Sequence, residues 1–375
     1  MPRTLLLSRR HHAGGSLPAG YAGGDPMNVR RETAGACPLC GTAGETRYTE
    51  LSDRLETYES GFGFQRCPRC SVLWLSPRPE REELPKFYPQ GYYAYQTSDD
   101  GAAAGGMGRG LRDHLRRLIL REVFGYAHLV RGGRWSSWVG RLLGAIPSLR
   151  RRAAFDWEEL LPRFVPNGRL LDVGCGAATY LARMRELGWD VHGVDLSPDA
   201  ARAAQNRYGI PVKVGMLPEA RFPDGMFSVV TMSHVIEHVP DPPAHLAECR
   251  RIMAPGGRLI IKTPNLAGFA SRLFGKHWVA LDPPRHLVLF SPQALRECVQ
   301  QAGFQVIRER SHPAMAEWNA RISLFIRRQG HARGYARITR TGFAAWVCGL
   351  IERLLLLLWP WAGNELRLVA MKPRS

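Results

Sequence analysis

The middle of this 375-residue chain is predicted to fold as an α/β domain, a parallel sheet with helices on both faces. Three observations carry that expectation. From Phe155 onward, short apolar β-branched runs alternate with stretches of helical period. The first run closes in a glycine turn, Gly174-Cys175-Gly176. Charge is also partitioned: residues 153–304 carry +1, while 1–31 carry +4, 32–100 carry −4, 101–152 carry +9 and 305–375 carry +8. The net +18, from 51 basic and 33 acidic residues, therefore belongs to segments flanking a near-neutral domain, and an anionic surface or substrate is expected to meet those segments.

In chain order, residues 1–33 are rich in Gly, Pro, Arg and His without a period and read as a disordered tail. MPRTLLLSRRHH has three consecutive leucines, short of the roughly 7–15 apolar residues of a signal peptide, so a reducing, cytoplasmic setting is expected. Residues 34–95 are turn-rich and hold Cys37, Cys40, Cys67 and Cys70 in two CxxC pairs, ending in YPQGYYAY. Four thiolates in two knuckles can close a tetrahedral site with no position left for water, so this segment reads as a zinc-ribbon-like module holding a structural zinc ion. Residues 96–154 combine a Gly/Ala linker with basic helical text. Within it Leu111, Leu115, Leu118, Ile119, Tyr126, Leu129 and Val130 recur at helical spacing while Arg112, Arg116, Arg117 and Arg121 take other faces.

The core, residues 155–311, reads as strands at RLLDVGC, DVHGVDL, PVKVG, FSVVTMSH, RLIIKTPN and QVIRER, with helices between most of them, including PAHLAECRRIMAPGG and SPQALRECVQQAGF. Residues 312–363 form a helical insertion or lid, and 364–375 supply the last strand. The apolar run 343–361 is interrupted by Glu352-Arg353 and stopped by Pro360, which disfavours a membrane span. It reads as a cover helix, or, together with the basic helix at 111–130, as peripheral contact with an anionic membrane at the inner surface.

Glycine at 174 and 176 lets backbone approach a ligand that a Cβ would strike, and Asp195, nineteen residues after Gly176 at the end of the next strand, is placed to accept hydrogen bonds from ribose hydroxyls. The ordered segments LLDVGCG, VHGVDLSPDA, FSVVTMSHVIEHVPDP and LAECRRIMAPGGRLIIKTPN make residues 165–304 resemble a class I S-adenosylmethionine-dependent methyltransferase, a Rossmann-like seven-stranded fold. The cysteine knuckles and WVALDPPRHLVLFSPQALRECVQQAGF are similar to bacterial methyltransferases of saccharides or secondary metabolites, and HVIEHV to ubiquinone-biosynthesis O-methyltransferases.

The resemblance implies S-adenosylmethionine as cofactor. It places Asp172 near the methionine amino group, the backbone of Gly174, Cys175 and Gly176 against the cofactor, Asp195 with Leu196 on the ribose side, and His234 at the methionyl end. Two features depart from the family pattern. Ala178 replaces a third glycine, and Met216 and Leu217 stand where an acidic residue often meets the adenine.

Methyl transfer to a neutral hydroxyl needs a base, and His286, Glu237 and His238 are the candidates, His286 first, because each sits on a loop at the carboxyl ends of strands. Cys175, Cys249, Cys298 and Cys348 read as packing residues. The expected reaction is O-methylation of a small molecule, saccharide or lipid-linked glycan. RNA methylation and a catalytically silent cofactor-binding subunit are the rivals, the acidic ribbon segment arguing against nucleic acid. The sequence leaves the oligomeric state open.

Overall fold

A computed structural model describes residues 29–54, 59–88, 110–155, 160–332 and 342–374. The expected tail over 1–28, most of the linker and the GYYAY segment lie outside the described residues.

Five short strands open the chain: β1 (Arg31–Glu32), β2 (Glu45–Leu51), β3 (Phe62–Arg66), β4 (Leu73–Leu75) and β5 (Arg78–Pro79). Helices α1 (Leu111–Phe124), α2 (Arg134–Ala145) and α3 (Pro147–Ala153) follow. The central unit alternates β6 (Arg169–Val173), α4 (Thr179–Glu186), β7 (Asp190–Asp195), α5 (Pro198–Tyr208), β8 (Val212–Val214), β9 (Phe227–Ser233), α6 (Pro242–Ile252) and β10 (Met253–Pro264). Then come α7 (Phe269–Phe274), β11 (Val288–Leu289), α8 (Pro292–Gln301), β12 (Gln305–His312), α9 (Ala316–Gln329), α10 (Phe343–Leu355) and β13 (Glu365–Met371).

Seven strands form one sheet in the order β12-β13-β10-β9-β6-β7-β8. The five strands from β10 to β8 are parallel, as the alternation of elements requires, but β13 runs antiparallel between β10 and β12. The expected parallel sheet is completed to seven strands by one antiparallel member, because the α9–α10 insertion brings the chain back from the opposite end before β13 enters. The order turns at β6, whose neighbours are β7 on one side and β9 on the other, and the crevice at such a turn is where open α/β sheets bind ligands.

Pro198 and Pro242 open α5 and α6 behind the side-chain caps Ser197 and Asp241, so both helices start directly after the loops that line this crevice. One core packs α6, α8 and the cysteine-bearing segment on one side of the sheet; a second packs α1 and α4 on the other, through Leu120, Phe124, Leu181 and Met184.

Several expectations change. Residues 29–33, expected within the tail, are folded against the chain: Val29 is buried, β1 pairs with β5 and Arg31 stacks over Phe62. The basic helix expected to reach 130 stops at Phe124, where Gly125 turns left-handed and frees the chain to bury Tyr126. The ribbon module is not autonomous, because β11 of the core completes its sheet in the order β11-β4-β3-β2. Arg285 and Asp53, both fully buried, pair across the same seam.

Within the 343–361 run only Phe343–Leu355 is helical. That helix packs on α9, with Gly349 against the stem of Glu317 and Arg353 paired to its carboxylate, so it does not lie flat over the sheet as a cover helix would. Among the described residues no helix is long and apolar enough to cross a membrane.

Candidate active site and zinc centre

A cavity of about 570 Å³ opens at the carboxyl ends of β6, β7 and β9. One end is built by the first two βα turns. Gly174 and Gly176 both have positive φ, and a Cβ on Gly174 would come within 2.5 Å of Val235 Cγ2. Asp195 sits on the cavity wall, its Oδ2 accepting from the Gly176 amide at 2.8 Å and its Oδ1 from the Ser197 amide at 2.8 Å.

Those two amides fix the carboxylate while leaving each oxygen a second lone pair facing the cavity. Burial raises its pKa. Leu196, Met216 and Leu217 add an apolar edge. A carboxylate held by backbone donors, a glycine floor and an apolar slot fit the ribose, the methionyl chain and the adenine of S-adenosylmethionine.

Two of the expected cofactor residues lie one layer behind the wall. Asp172 accepts from Thr231 Oγ1 at 2.6 Å, and burial, with Asp195 nearby, raises its pKa to about 7. The Cys175 side chain fills the space over Gly193, where a Cβ would sit 2.7 Å from its Sγ. Its thiol is inert, its pKa pushed far up by burial. Ala178 caps α4 with φ 60°, a left-handed conformation costing a non-glycine residue roughly 1–2 kcal/mol, so the missing third glycine is a cost the fold absorbs rather than a neutral helix start.

His234, also left-handed at φ 56°, follows β9 and is held from both sides: Nδ1 lies 3.2 Å from Glu237 Oε1 and Nε2 3.0 Å from Glu365 Oε2. Burial alone would lower its pKa, but the two carboxylates raise it to about 10. Glu237 is in turn held down to about 2 despite its burial, by His234 and then by His238 and His286, and it accepts a 2.9 Å bond from Thr263. His234 is thus a fixed cation lining the cavity, and Glu237 a fully buried anion beneath it. Glu237, expected as a base candidate, is fully buried behind the cavity lining and bonded to His234 and Thr263.

His286 and His238 do line the cavity, with ring centroids 4.6 Å apart. Each ring is oriented by a backbone carbonyl at Nδ1, Ala280 at 2.7 Å for His286 and Arg285 at 2.9 Å for His238. A carbonyl only accepts, so Nδ1 carries the proton in both neutral rings and Nε2 is left as the basic atom. Burial, then the neighbouring His286, lowers His238 to about 4. Tyr88 reaches the same Nδ1 of His238 at 3.0 Å, so the ribbon segment contributes a side chain to the cavity wall. One donor atom each from Glu237, His238 and His286 lie within 4.8 Å of one another, a spacing a metal ion could span.

Trp318, Asn319 and Asn364 complete this end of the cavity. None of these three, nor Tyr88 or Glu365, was identified as a site residue from sequence. Tyr88 lies 150 residues from His238 and Glu365 lies 131 from His234, separations that carry no local signal.

The four expected zinc ligands converge. Sγ of Cys37 and Cys70 are 3.5 Å apart, Cys40 and Cys67 3.5 Å, Cys40 and Cys70 4.0 Å. Tetrahedral Zn–S bonds of about 2.3 Å imply S···S near 3.8 Å, whereas a disulfide needs about 2.05 Å. The knuckles repeat each other: Gly41 N donates to Cys37 O and Ser71 N to Cys67 O, and Gly41 and Ser71 are both left-handed. The residues fit a closed structural zinc site.

Fold and cavity together define an α/β enzyme that binds an adenosyl cofactor at the sheet's switch point. Residues 148–309 match the family model of a methyltransferase domain. A ubiquinone biosynthesis O-methyltransferase of Xanthomonas axonopodis pv. citri is 30% identical over 192 residues, 48% of this chain and 80% of its own length. One from Cereibacter sphaeroides is 29% identical over 181 residues, 44% and 73% respectively. Among solved structures, a SAM-dependent methyltransferase from Archaeoglobus fulgidus aligns at 21% identity with a TM-score of 0.39, covering 60% of this chain and 91% of that one. The chain belongs to the class I S-adenosylmethionine-dependent methyltransferases.

Proposed function

We propose that this enzyme methylates a hydroxyl oxygen of a small acceptor, with His286 as general base. S-adenosylmethionine supplies an electrophilic methyl group on sulfur. The protein's work is to hold the two partners in line and to take one proton.

The observation that carries the reading is the oriented pair His286 and His238 lining the same cavity as the glycine turn, each with Nδ1 at a backbone carbonyl and Nε2 left over. Tyr88 steadies His238, Asp195 holds the ribose side, and the His234 cation with its two carboxylates fixes the loop after β9. Relatives named as O-methyltransferases support oxygen as the methylated atom. Val239, Val279, Met315 and Trp318 beside Asn319 and Asn364 suit an acceptor with an apolar part and hydroxyls, of which a lipid-linked saccharide is one. The setting proposed is the cytoplasm, at or near the inner membrane surface.

The test is incubation with methyl-labelled S-adenosylmethionine and separated polar, lipid, RNA and protein fractions. Label is expected in a polar or lipid product and expected to fall about 10²–10⁴-fold for His286→Ala, the range removal of a general base produces. Label confined to RNA or protein, or full turnover in His286→Ala, contradicts the reading.

A further inference from the structure

The face of α2 turned away from the domain carries an unpartnered apolar stripe. Trp135, Trp138, Leu142 and Ile146 are 83%, 60%, 53% and 44% exposed. At about 100° per residue Trp135, Trp138 and Leu142 fall within about 60° of one another, one narrow ridge along the helix, and Ile146 follows at its C-cap. The opposite face is the packed one. Gly140 and Gly144 lie against α1 so closely that a Cβ would meet Leu118 O at 2.7 Å and Val123 Cγ2 at 2.5 Å. The helix is thus seated by two glycines and presents its largest side chains to solvent, the reverse of the usual amphipathic arrangement.

The segment that carries this ridge is charged with one sign. Residues 131–155 contain six arginines, Arg131, Arg134, Arg141, Arg150, Arg151 and Arg152, and no acidic residue. Arg134 and Arg141, seven apart, run along one flank, Arg141 paired to Glu122 of α1. Arg131, Arg151 and Arg152 stand exposed at the two ends.

We propose that α2 and α3 form a docking surface for an anionic lipid bilayer, with Trp135 and Trp138 entering the interface and the arginines meeting headgroup phosphates. Tryptophan settles at the boundary between headgroups and acyl chains, and arginine clusters bind anionic lipid, so side chains and charge select the same partner. The ridge continues from the indoles into Leu142 and Ile146, aliphatic surface that acyl chains bury and that stacked nucleobases would not use.

The exposed apolar row on α10, Phe343, Trp346, Leu350, Leu354, Leu357 and Leu358, is the competing surface. Its own segment 342–361 holds one arginine and one glutamate, Arg353 being paired to Glu317, so the arginines near it in sequence belong to α9 and the preceding chain rather than to the apolar row itself, and the α10 variant is the control for this surface. The inference specifies where the proposed membrane contact lies and does not depend on which acceptor is methylated.

The full chain is tested by co-sedimentation with vesicles of phosphatidylcholine alone or with about a third phosphatidylglycerol, at low and at high salt. The variants are Trp135→Ala/Trp138→Ala, Arg150→Gln/Arg151→Gln/Arg152→Gln and Trp346→Ala/Leu350→Ala. Calorimetric binding of S-adenosylhomocysteine in each variant shows that the core is intact and reads the cofactor site separately.

Binding is expected to the anionic vesicles only and to weaken with salt as screening shortens. It should fall at least tenfold in each α2–α3 variant and stay unchanged in the α10 variant. The proposal is overturned if the wild-type chain ignores anionic vesicles at low salt, or if binding survives both α2–α3 variants. It is equally overturned if loss follows the α10 variant instead, or if these arginines and indoles retain single-stranded RNA on a filter but no vesicle.

Discussion

Replacing Arg285 with Met should unseat the cysteine-bearing segment from the catalytic core. The guanidinium is fully buried and makes four bonds to two carboxylates. It reaches Asp53 from Nη2 at 2.7 Å and Nη1 at 3.1 Å, and Asp282 from Nε at 3.0 Å and Nη2 at 2.5 Å. A fifth, longer contact reaches Phe87 O, just before Tyr88. Methionine keeps the volume of the stem but takes the shared guanidinium away from Asp53 and Asp282, both buried.

Breaking one partner out of a buried pair costs about 3–5 kcal/mol, chiefly the penalty on the charge left behind. Arg54, whose charge also faces Asp282, offsets part of that loss, so the lower end, about 3 kcal/mol, is expected. Because the pair sits on the seam closed by β11, zinc should also be lost faster. The assay is urea denaturation followed by tryptophan fluorescence, with zinc release to a chromogenic chelator measured alongside. Asp53→Asn/Arg285→Met should recover part of the loss, since it removes one of the two buried carboxylates the guanidinium served. A change under about 1 kcal/mol with unaltered zinc release would refute the claim that this ion pair joins the two units.

Three further outcomes follow from the same geometry. Gly174→Ala should weaken S-adenosylhomocysteine binding more than tenfold in calorimetry, because the Cβ meets Val235 at 2.5 Å. Gly209→Ala, also at positive φ but with nothing within 4 Å, should pay only the backbone cost of roughly 1–2 kcal/mol in stability and leave binding intact. His234 is held protonated to about pH 10, above its unfolded value near 6.5. Its contribution to stability is therefore complete below about pH 6.5 and lost as pH rises through 10, and His234→Gln should flatten the alkaline limb of thermal midpoints against pH. Asp172 titrates in the same sense at lower pH: burial raises its folded pKa to about 7, so stability falls as pH rises through 7, and Asp172→Asn should stabilise the cofactor-free protein at pH 8 and have little effect at pH 4.

What could be read from the sequence was what a ligand demands of contiguous residues. The glycine turn and Asp195 lie within one βαβ unit, and each cysteine knuckle closes its backbone over five residues, so both patterns survive in the linear text. What could not be read was made by distant partners. Glu237 is a base candidate in HVIEHV, and its bonds to His234 and Thr263 and its full burial show only in the fold. Tyr88 gained a role only when β11, some two hundred residues later in the chain, docked onto β4. The antiparallel entry of β13 is equally non-local, since LRLVAMKP has the same composition in either direction.

Periodicity overran α1 for a related reason. Tyr126 and Leu129 are apolar at helical spacing, yet Tyr126 is buried by donating to Pro162 O and accepting from Trp189 Nε1, which a continuous helix would not permit.

The most direct measurement is titration calorimetry of the intact chain with S-adenosylhomocysteine, repeated on Asp195→Ala. One site per chain is expected for the wild type. The variant should bind about ten- to a hundredfold more weakly, the loss of charge-assisted hydrogen bonds worth roughly 1.5–3 kcal/mol. A folded wild-type chain that gives no heat, or an Asp195→Ala variant that binds as tightly, would contradict the cofactor site on which the account rests.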